Sequence, residues 1–364
     1  MQEVRRVSDG KISLTISELS QILIASLVGV GILYIPNSII KYAEQDSWIG
    51  CIFGAIYPFY MLFIASYIAK MHPDENILVL SRRYFGNVFG SILNILYTFF
   101  FIFLLTSEID GFKNVSIVYL TNFISGYKAV AVIVLSAAYA TYKGLKPLAR
   151  VSEIIFFTTS ILVLLLAGSL VKGSIYNIQP VFRTSIVKLA KASKETAFFY
   201  SGVEAVFLYH PFLKEKSKLL KYCSMCVGYI AFTYIMVVFL TIYYLGIDIS
   251  PKYLWPVITL TDVINIPIIN SFRYIFLALW SFIILKCIAI YYYSSCFCIN
   301  QIVNKISIHK ITILIYPIIV YVAVKYGNET TRREVSGIIM PICAYFNIFF
   351  VTIMAIGIKR KSEN

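Results

Sequence analysis

Charge is scarce in this sequence. Asp, Glu, Lys and Arg make up 14% of its 364 residues, against 59% hydrophobic residues, whereas a soluble domain carries roughly 25% charged residues. That shortage excludes a water-covered globule, because too few polar side chains remain to face solvent on every side. Acidic residues are scarcer still, 18 against 32 basic ones. The basic excess does not form a nucleic-acid surface. It falls in short clusters between apolar runs, as Lys143, Lys146 and Arg150 do, where it would anchor loops at anionic lipid headgroups. No soluble segment interleaves basic and aromatic residues, so membrane lipid is the expected partner and nucleic acid is not.

Histidine is nearly missing, with only His72, His210 and His309, each near the end of an apolar run. There is no phosphate-binding loop, no HExxH and no Ser-His-Asp arrangement. Catalytic residues, a metal site and a cofactor are therefore not expected, and the chain does not read as an enzyme. Cysteine is present at 51, 223, 226, 287, 296, 298 and 343. An odd number set mostly in apolar runs argues against a disulfide framework. Cys223 and Cys226 form a lone CxxC with no second pair and no neighbouring histidine, and read as two small helix residues.

Long hydrophobic runs are what the chain has in abundance, and its mean hydropathy is +0.79. The runs are continuous rather than alternating, which selects helices over a barrel. The expected fold is an all-α integral membrane protein with about ten transmembrane helices. Its spans are 19–40, 48–69, 87–107, 129–142, 154–171, 196–213, 222–247, 274–304, 311–324 and 335–358; most reach the roughly 20 residues needed to cross the hydrocarbon, while 129–142 and 311–324 are short, and 129–142 needs Phe123–Gly126 or Lys128 to complete it. The first is too long for a cleaved signal peptide and reads as a retained helix. Residues 1–18 form a cytoplasmic N-terminal segment, 19–358 a single transmembrane domain with halves 19–171 and 196–358, and 359–364 a cytoplasmic tail. Lys and Arg weigh towards the side shared by both termini, which predicts that side to be cytoplasmic in an inner membrane. Between the halves, Ile186, Leu189 and Ala190 with Lys188 and Lys191 predict a short amphipathic helix on the membrane surface.

Two spans carry interior glycines that suggest a break. The first reads Gly29-Val30-Gly31 and the sixth Tyr200-Ser201-Gly202, followed by Glu204. Such glycines mark places where a helix can unwind and free backbone groups, tolerated in a membrane only where they line a cavity. They would equally serve close helix packing, and spacing alone allows both. Each falls in the first helix of a five-helix half, the pattern of inverted-repeat transporters. Unwinding at Val30 would draw on the φ freedom of Gly31. Two charges lie at depth, Glu204 and Lys286, each costing about 2.5–3.5 kcal/mol if exposed to lipid. They would pair with each other, or Lys286 with Glu108 at the end of span three, in a structural or a proton-linked role.

The stretch Gly29-x-Gly31-Ile32-Leu33-Tyr34-x-Pro36 resembles the B subunits of bacterial spore germinant receptors, in the amino acid–polyamine–organocation transporter superfamily. So do Tyr139-x-x-Tyr142-Lys143-Gly144-Leu145-x-x-Leu148-Ala149-Arg150 leading to Glu153, Gln179-Pro180, and Phe199-x-x-Gly202-x-Glu204. Trp255-Pro256 and Phe272-Arg273 through Trp280 fit as well, although the family commonly places an acidic residue where Phe272 stands. The similarity spans about residues 14–357. It implies a five-plus-five inverted repeat with helices one and six broken around a midplane site. A ligand carboxylate would meet Gly29, Val30 and Gly31, and its ammonium Tyr200, Ser201 and Gly202, with Tyr97 and Phe101 as walls. It further implies a nutrient-sensing subunit, with an amino acid germinant and other receptor subunits as partners, in the inner membrane of a spore or cell. The alternatives are a proton-coupled amino acid transporter acting alone and an assembly subunit with a vestigial site.

Overall fold

The computed structural model describes residues 12–263 and 272–363, with side chains to residue 360. The N-terminal arginines and lysine, and Asn270 and Ser271 ahead of Arg273, lie outside the described residues. In the described part the molecule is built of helices. The first half comprises α1 (Ile16–Leu27), α2 (Ile35–Ala43), α3 (Ser47–Gly54), α4 (Ile56–Met71), α5 (Ile77–Phe85), α6 (Asn87–Tyr119), α7 (Gly126–Lys143) and α8 (Leu145–Leu166). The second comprises α9 (Ile186–Phe199), α10 (Val206–Tyr209), α11 (Leu219–Ile249), α12 (Pro256–Thr259), α13 (Phe272–Val303), α14 (Ile308–Lys325) and α15 (Glu329–Glu363).

Among the described residues seven helical stretches are long and apolar enough to cross a membrane, the first counted from Ile35 to Met71. The other three of the ten spans fall short for visible reasons. Two are split in the middle, α1/α2 and α9/α10, and α7 carries lysines at both ends. Outward-facing side chains such as Ile56, Phe63, Phe157 and Ile342 are each more than 60% exposed. This apolar belt is what a lipid-facing surface requires. The ten-helix, five-plus-five arrangement expected from the sequence is the one observed.

Local sequence explains the boundaries. Thr15 and Glu18 start α1 with reciprocal caps, each side chain accepting from the other's amide at 3.1 and 2.9 Å, which satisfies two otherwise orphan N–H groups. Pro36 sits in the first turn of α2, where its missing N–H costs nothing. At one end of the bundle, Leu14 pairs with the strand-like residues after α10: its amide donates to Phe212 O at 2.8 Å and its carbonyl accepts from Lys214 N at 3.1 Å. This bridge ties the start of span one to the end of span six. At the other end, both carboxylate oxygens of Asp46 accept from the amides of Phe182, Arg183 and Thr184 at 2.7–2.9 Å, folding the long 172–185 connection down onto the bundle.

Two expectations need correcting. The stretch around Ile186–Lys191 is not a separate surface helix but the opening turns of α9, the first half of span six. Small residues draw it inward: a Cβ on Gly50 would sit 3.0 Å from Ala192 Cβ, and one on Gly54 2.7 Å from Thr196 Cβ, so α3 and α9 approach at backbone distance. The lysines at 188, 191 and 194 had masked that packing face in the hydropathy pattern. Span three is also longer than its uncharged core, reaching Tyr119, so Glu108 lies inside α6 rather than at its end. Asp110 and Lys113 pair one turn further on, and Lys113 Nζ also donates to Gly327 O at 2.9 Å, which satisfies the charges that seemed to end the span.

Candidate functional site

The two broken helices meet. α1 stops at Leu27, then Val28 (φ −104°, ψ 96°) and Gly29 (φ −111°, ψ −167°) are extended before a tight turn at Val30–Leu33 leads into α2. These are ordinary angles for any residue, and Gly31 has no left-handed φ among the described glycines. The first break therefore needs its glycines for space, not for φ. A Cβ on Gly31 would lie 2.7 Å from the Phe199 ring, and one on Gly29 2.6 Å from the Glu108 carboxyl group. The sixth span differs. Gly202 has φ +113°, and a Cβ there would lie 2.1 Å from the carbonyl oxygen of Ser26. Both conformation and contact demand glycine at that position.

Breaking two helices frees backbone groups that must find partners. Tyr234 of α11 donates its hydroxyl to Leu27 O at 2.6 Å and lies 3.0 Å from Phe199 O. Tyr291 of α13 donates to Ser26 O at 2.5 Å and lies 3.2 Å from Ser201 O. Each phenol thus bridges one carbonyl from each broken helix. On the donor side, Val30 N–H reaches Glu108 Oε2 at 2.6 Å, and Gly202 N–H reaches Glu204 Oε2 at 2.7 Å. Of the groups that the resemblance assigned to a ligand, side chains of this chain hold the Val30 amide and the Ser201 carbonyl, while the Tyr200 and Gly202 carbonyls accept from the amides of Val203 and Ala205.

Around these groups lies a cavity of about 330 Å³, within the size range of small-molecule clefts. Gly29, Gly31, Glu108, Ser201, Tyr234 and Tyr291 line it, together with Lys41 and Glu195. Tyr34 forms one wall, edge-on to Phe199 at 5.4 Å and beneath the Arg333 guanidinium at 4.1 Å. Arg332 and Arg333 both bind Glu329, at 2.6 Å from its Oε1, and Arg332 also donates to Ser107 Oγ at 3.3 Å.

Of the residues singled out in the sequence, Gly29, Gly31, Ser201 and Glu108 face this cavity. Val30 contributes its amide to Glu108 and buries its side chain. Tyr97, Tyr200 and Gly202 stand behind the cavity: Tyr97 is fully buried against Phe101 and donates to Glu204 O at 2.8 Å, and Tyr200 packs on Tyr234. Glu204 is fully buried, receiving hydrogen bonds from Tyr57 Oη, Gly202 N and, at 3.2 Å, Asn347 Nδ2. Lys286 is 4% exposed, and its Nζ has no partner among the described residues. Neither expected pair, Glu204–Lys286 or Glu108–Lys286, forms: neutral donors hold the Glu204 carboxylate, and among the described residues the Val30 amide is the one donor on Glu108. All seven cysteines are buried and free, the lone CxxC included.

Sequence reasoning missed the two bridging tyrosines, which look like any of the chain's 28. It also missed Arg332 and Arg333, which seemed to belong to a loop. Their place three and four residues after Glu329, at the head of α15, was the available signal.

A family model described as "Spore germination protein" matches residues 13–332. The spore germination protein YndE of Bacillus subtilis (strain 168) is 22% identical over 353 residues, covering 96% of this chain and 97% of that one. The spore germination protein GerQB of Bacillus cereus is 24% identical over 266 residues, covering 72% and 73%. Among solved structures, a Na+-coupled sialic acid symporter in a substrate-bound outward-open state superposes with a TM-score of 0.65 at 12% identity, over 96% of this chain and 82% of that one. The nucleobase-cation-symport-1 family transporter Mhp1, closed with bromovinylhydantoin bound, gives 0.64 at 14%, over 95% and 78%. These structures show that the fold is that of membrane transporters. With broken helices one and six around a central cavity, and a family match across most of its length, this multi-pass inner-membrane chain belongs to the spore germination protein family.

Proposed function

We propose that this chain is the nutrient-sensing subunit of a germinant receptor, and that its germinant, an amino acid, binds in the cavity between the two broken helices. The observation that carries this is the meeting of both breaks on one cavity of about 330 Å³, large enough for a small metabolite. Occupancy would favour one packing of the helices around the cavity over another, and a ligand shifts such an equilibrium only by its differential affinity for the two. Other receptor subunits would read the shift. The test is a panel of amino acids, nucleosides and sugars against the thermal stability of the purified chain. A true ligand at a hundredfold excess over its Kd adds about 2.7 kcal/mol of stability. We expect amino acids alone to act. A panel in which no amino acid raises the unfolding temperature rejects the reading.

A second reading is favoured by the solved relatives in fold, both of which are transporters: a proton-coupled amino acid transporter. Fold does not decide between them. Vesicles containing this chain alone should bind labelled amino acid without accumulating it. Concentrative uptake that collapses with a protonophore would favour the transporter.

A further inference from the structure

The anion position at the first break is already filled. Glu108 lies directly over Gly29, where any Cβ would meet its carboxyl carbon and both oxygens at 2.6 Å, and its Oε2 holds the Val30 amide at 2.6 Å. The basic pair at the cavity wall is likewise engaged, since Arg332 and Arg333 share the Glu329 carboxylate. The carbonyls freed at both breaks are held by Tyr234 and Tyr291. Among the described residues Val30 alone donates to Glu108, which leaves Oε1 without a donor on a side chain that is partly accessible through the cavity. Ser201 Oγ is buried, lines the same cavity and has no partner. The cavity thus offers a carboxylate oxygen, which can only accept, and a hydroxyl, which can accept or donate.

We infer that the cavity holds its ligand by an amine, received by Glu108 Oε1 and Ser201 Oγ, and that no ligand carboxylate binds at the first-helix break because Glu108 occupies that place. This deepens the reading of the cavity as the germinant site and rests on it. An ammonium supplies three donors on a compact charge, which suits two acceptors on adjacent elements.

The test needs neither the germinant nor partner subunits, so it stands apart from any failure of the sensing role. The purified full chain and Glu108→Ala are melted in sodium chloride, sodium acetate and methylammonium chloride at equal ionic strength. Wild type should gain about 2 °C or more with methylammonium and nothing with acetate. Glu108→Ala should reverse the pattern, with acetate entering the vacated position and methylammonium losing its hold. Acetate stabilising wild type as much as the alanine variant would overturn the inference, as would an alanine variant indifferent to acetate. If the alanine variant does not accumulate, Glu108→Gln keeps the shape and an oxygen for Val30 while removing the charge. It should lose the methylammonium response and stay indifferent to acetate, and a glutamine variant responding like wild type would sink the idea.

Discussion

Glu108 and Glu204 stand at the two helix breaks, and both take a backbone amide freed by a break. They differ in everything else. Glu204 has no exposed surface, and three donors from three elements converge on its carboxylate. Glu108 has one donor and opens on the cavity. A buried polar group whose bonds are all made within the chain rigidifies its surroundings. One left with unused capacity beside a cavity is available to something else. The sixth break is thus built as a fixed joint and the first as a receptive one, although both look like a glutamate near a pair of small residues.

The sharpest way to break this comparison is at the fixed joint. Gly202→Ala would place a methyl carbon 2.1 Å from Ser26 O at a φ of +113°. Glu204→Leu would strand Tyr57, Asn347 and the Gly202 amide, each unsatisfied buried group costing about 1–3 kcal/mol. Both variants should fail to accumulate in the membrane, as read by immunoblot of fractionated cells. Normal abundance of either would mean that the sixth break tolerates rearrangement and is not a joint of the kind described. A smaller effect is expected at the first break. Glu108→Gln keeps the side-chain shape and an acceptor for Val30, and should accumulate within about twofold of wild type. Its ligand-induced thermal shift should nevertheless vanish. Parallel loss of abundance and response would erase the distinction between the two glutamates.

The arrangement of ten helices was legible because lipid imposes one rule on every span, and apolar length reads directly from hydropathy. The positions of both breaks were legible too, from Gly29, Gly31 and Gly202. What the glycines do there was not. Gly31 looked like a source of φ freedom and proves to be a space for the Phe199 ring, a role that depends on a residue 168 positions away in sequence. Span six was misplaced at its start because Lys188, Lys191 and Lys194 lower hydropathy, while Ala192 and Thr196 decide the packing against Gly50 and Gly54. Partners of buried charges were least legible of all. A carboxylate among apolar residues suggests a cation by simple electrostatics, yet Glu204 is satisfied by a phenol, an amide side chain and a backbone N–H. No local pattern marks Tyr57 or Asn347 for that task.

Lys286 gives the mildest and most discriminating prediction. It lies deep in α13, nearly unexposed, and its amine finds no partner among the described residues. Were it paired with Glu204, removing it would leave a buried carboxylate uncompensated and cost several kcal/mol, about 3–5 in comparable cases. Glu204 has its own donors, so that penalty should not arise. Lys286→Met keeps the chain length and apolar stem while removing an unmatched polar group, and should therefore raise the unfolding temperature slightly or leave it unchanged. Combined with Glu204→Gln, the two effects should add within about 0.5 kcal/mol, as for independent sites. A destabilising Lys286→Met, rescued by the second change, would restore the ion pair and end the claim that the sixth break is self-sufficient. If the variant is stable but no longer responds to ligand, Lys286 acts in the response rather than in the fold, and the fixed joint would then sit beside a residue that moves.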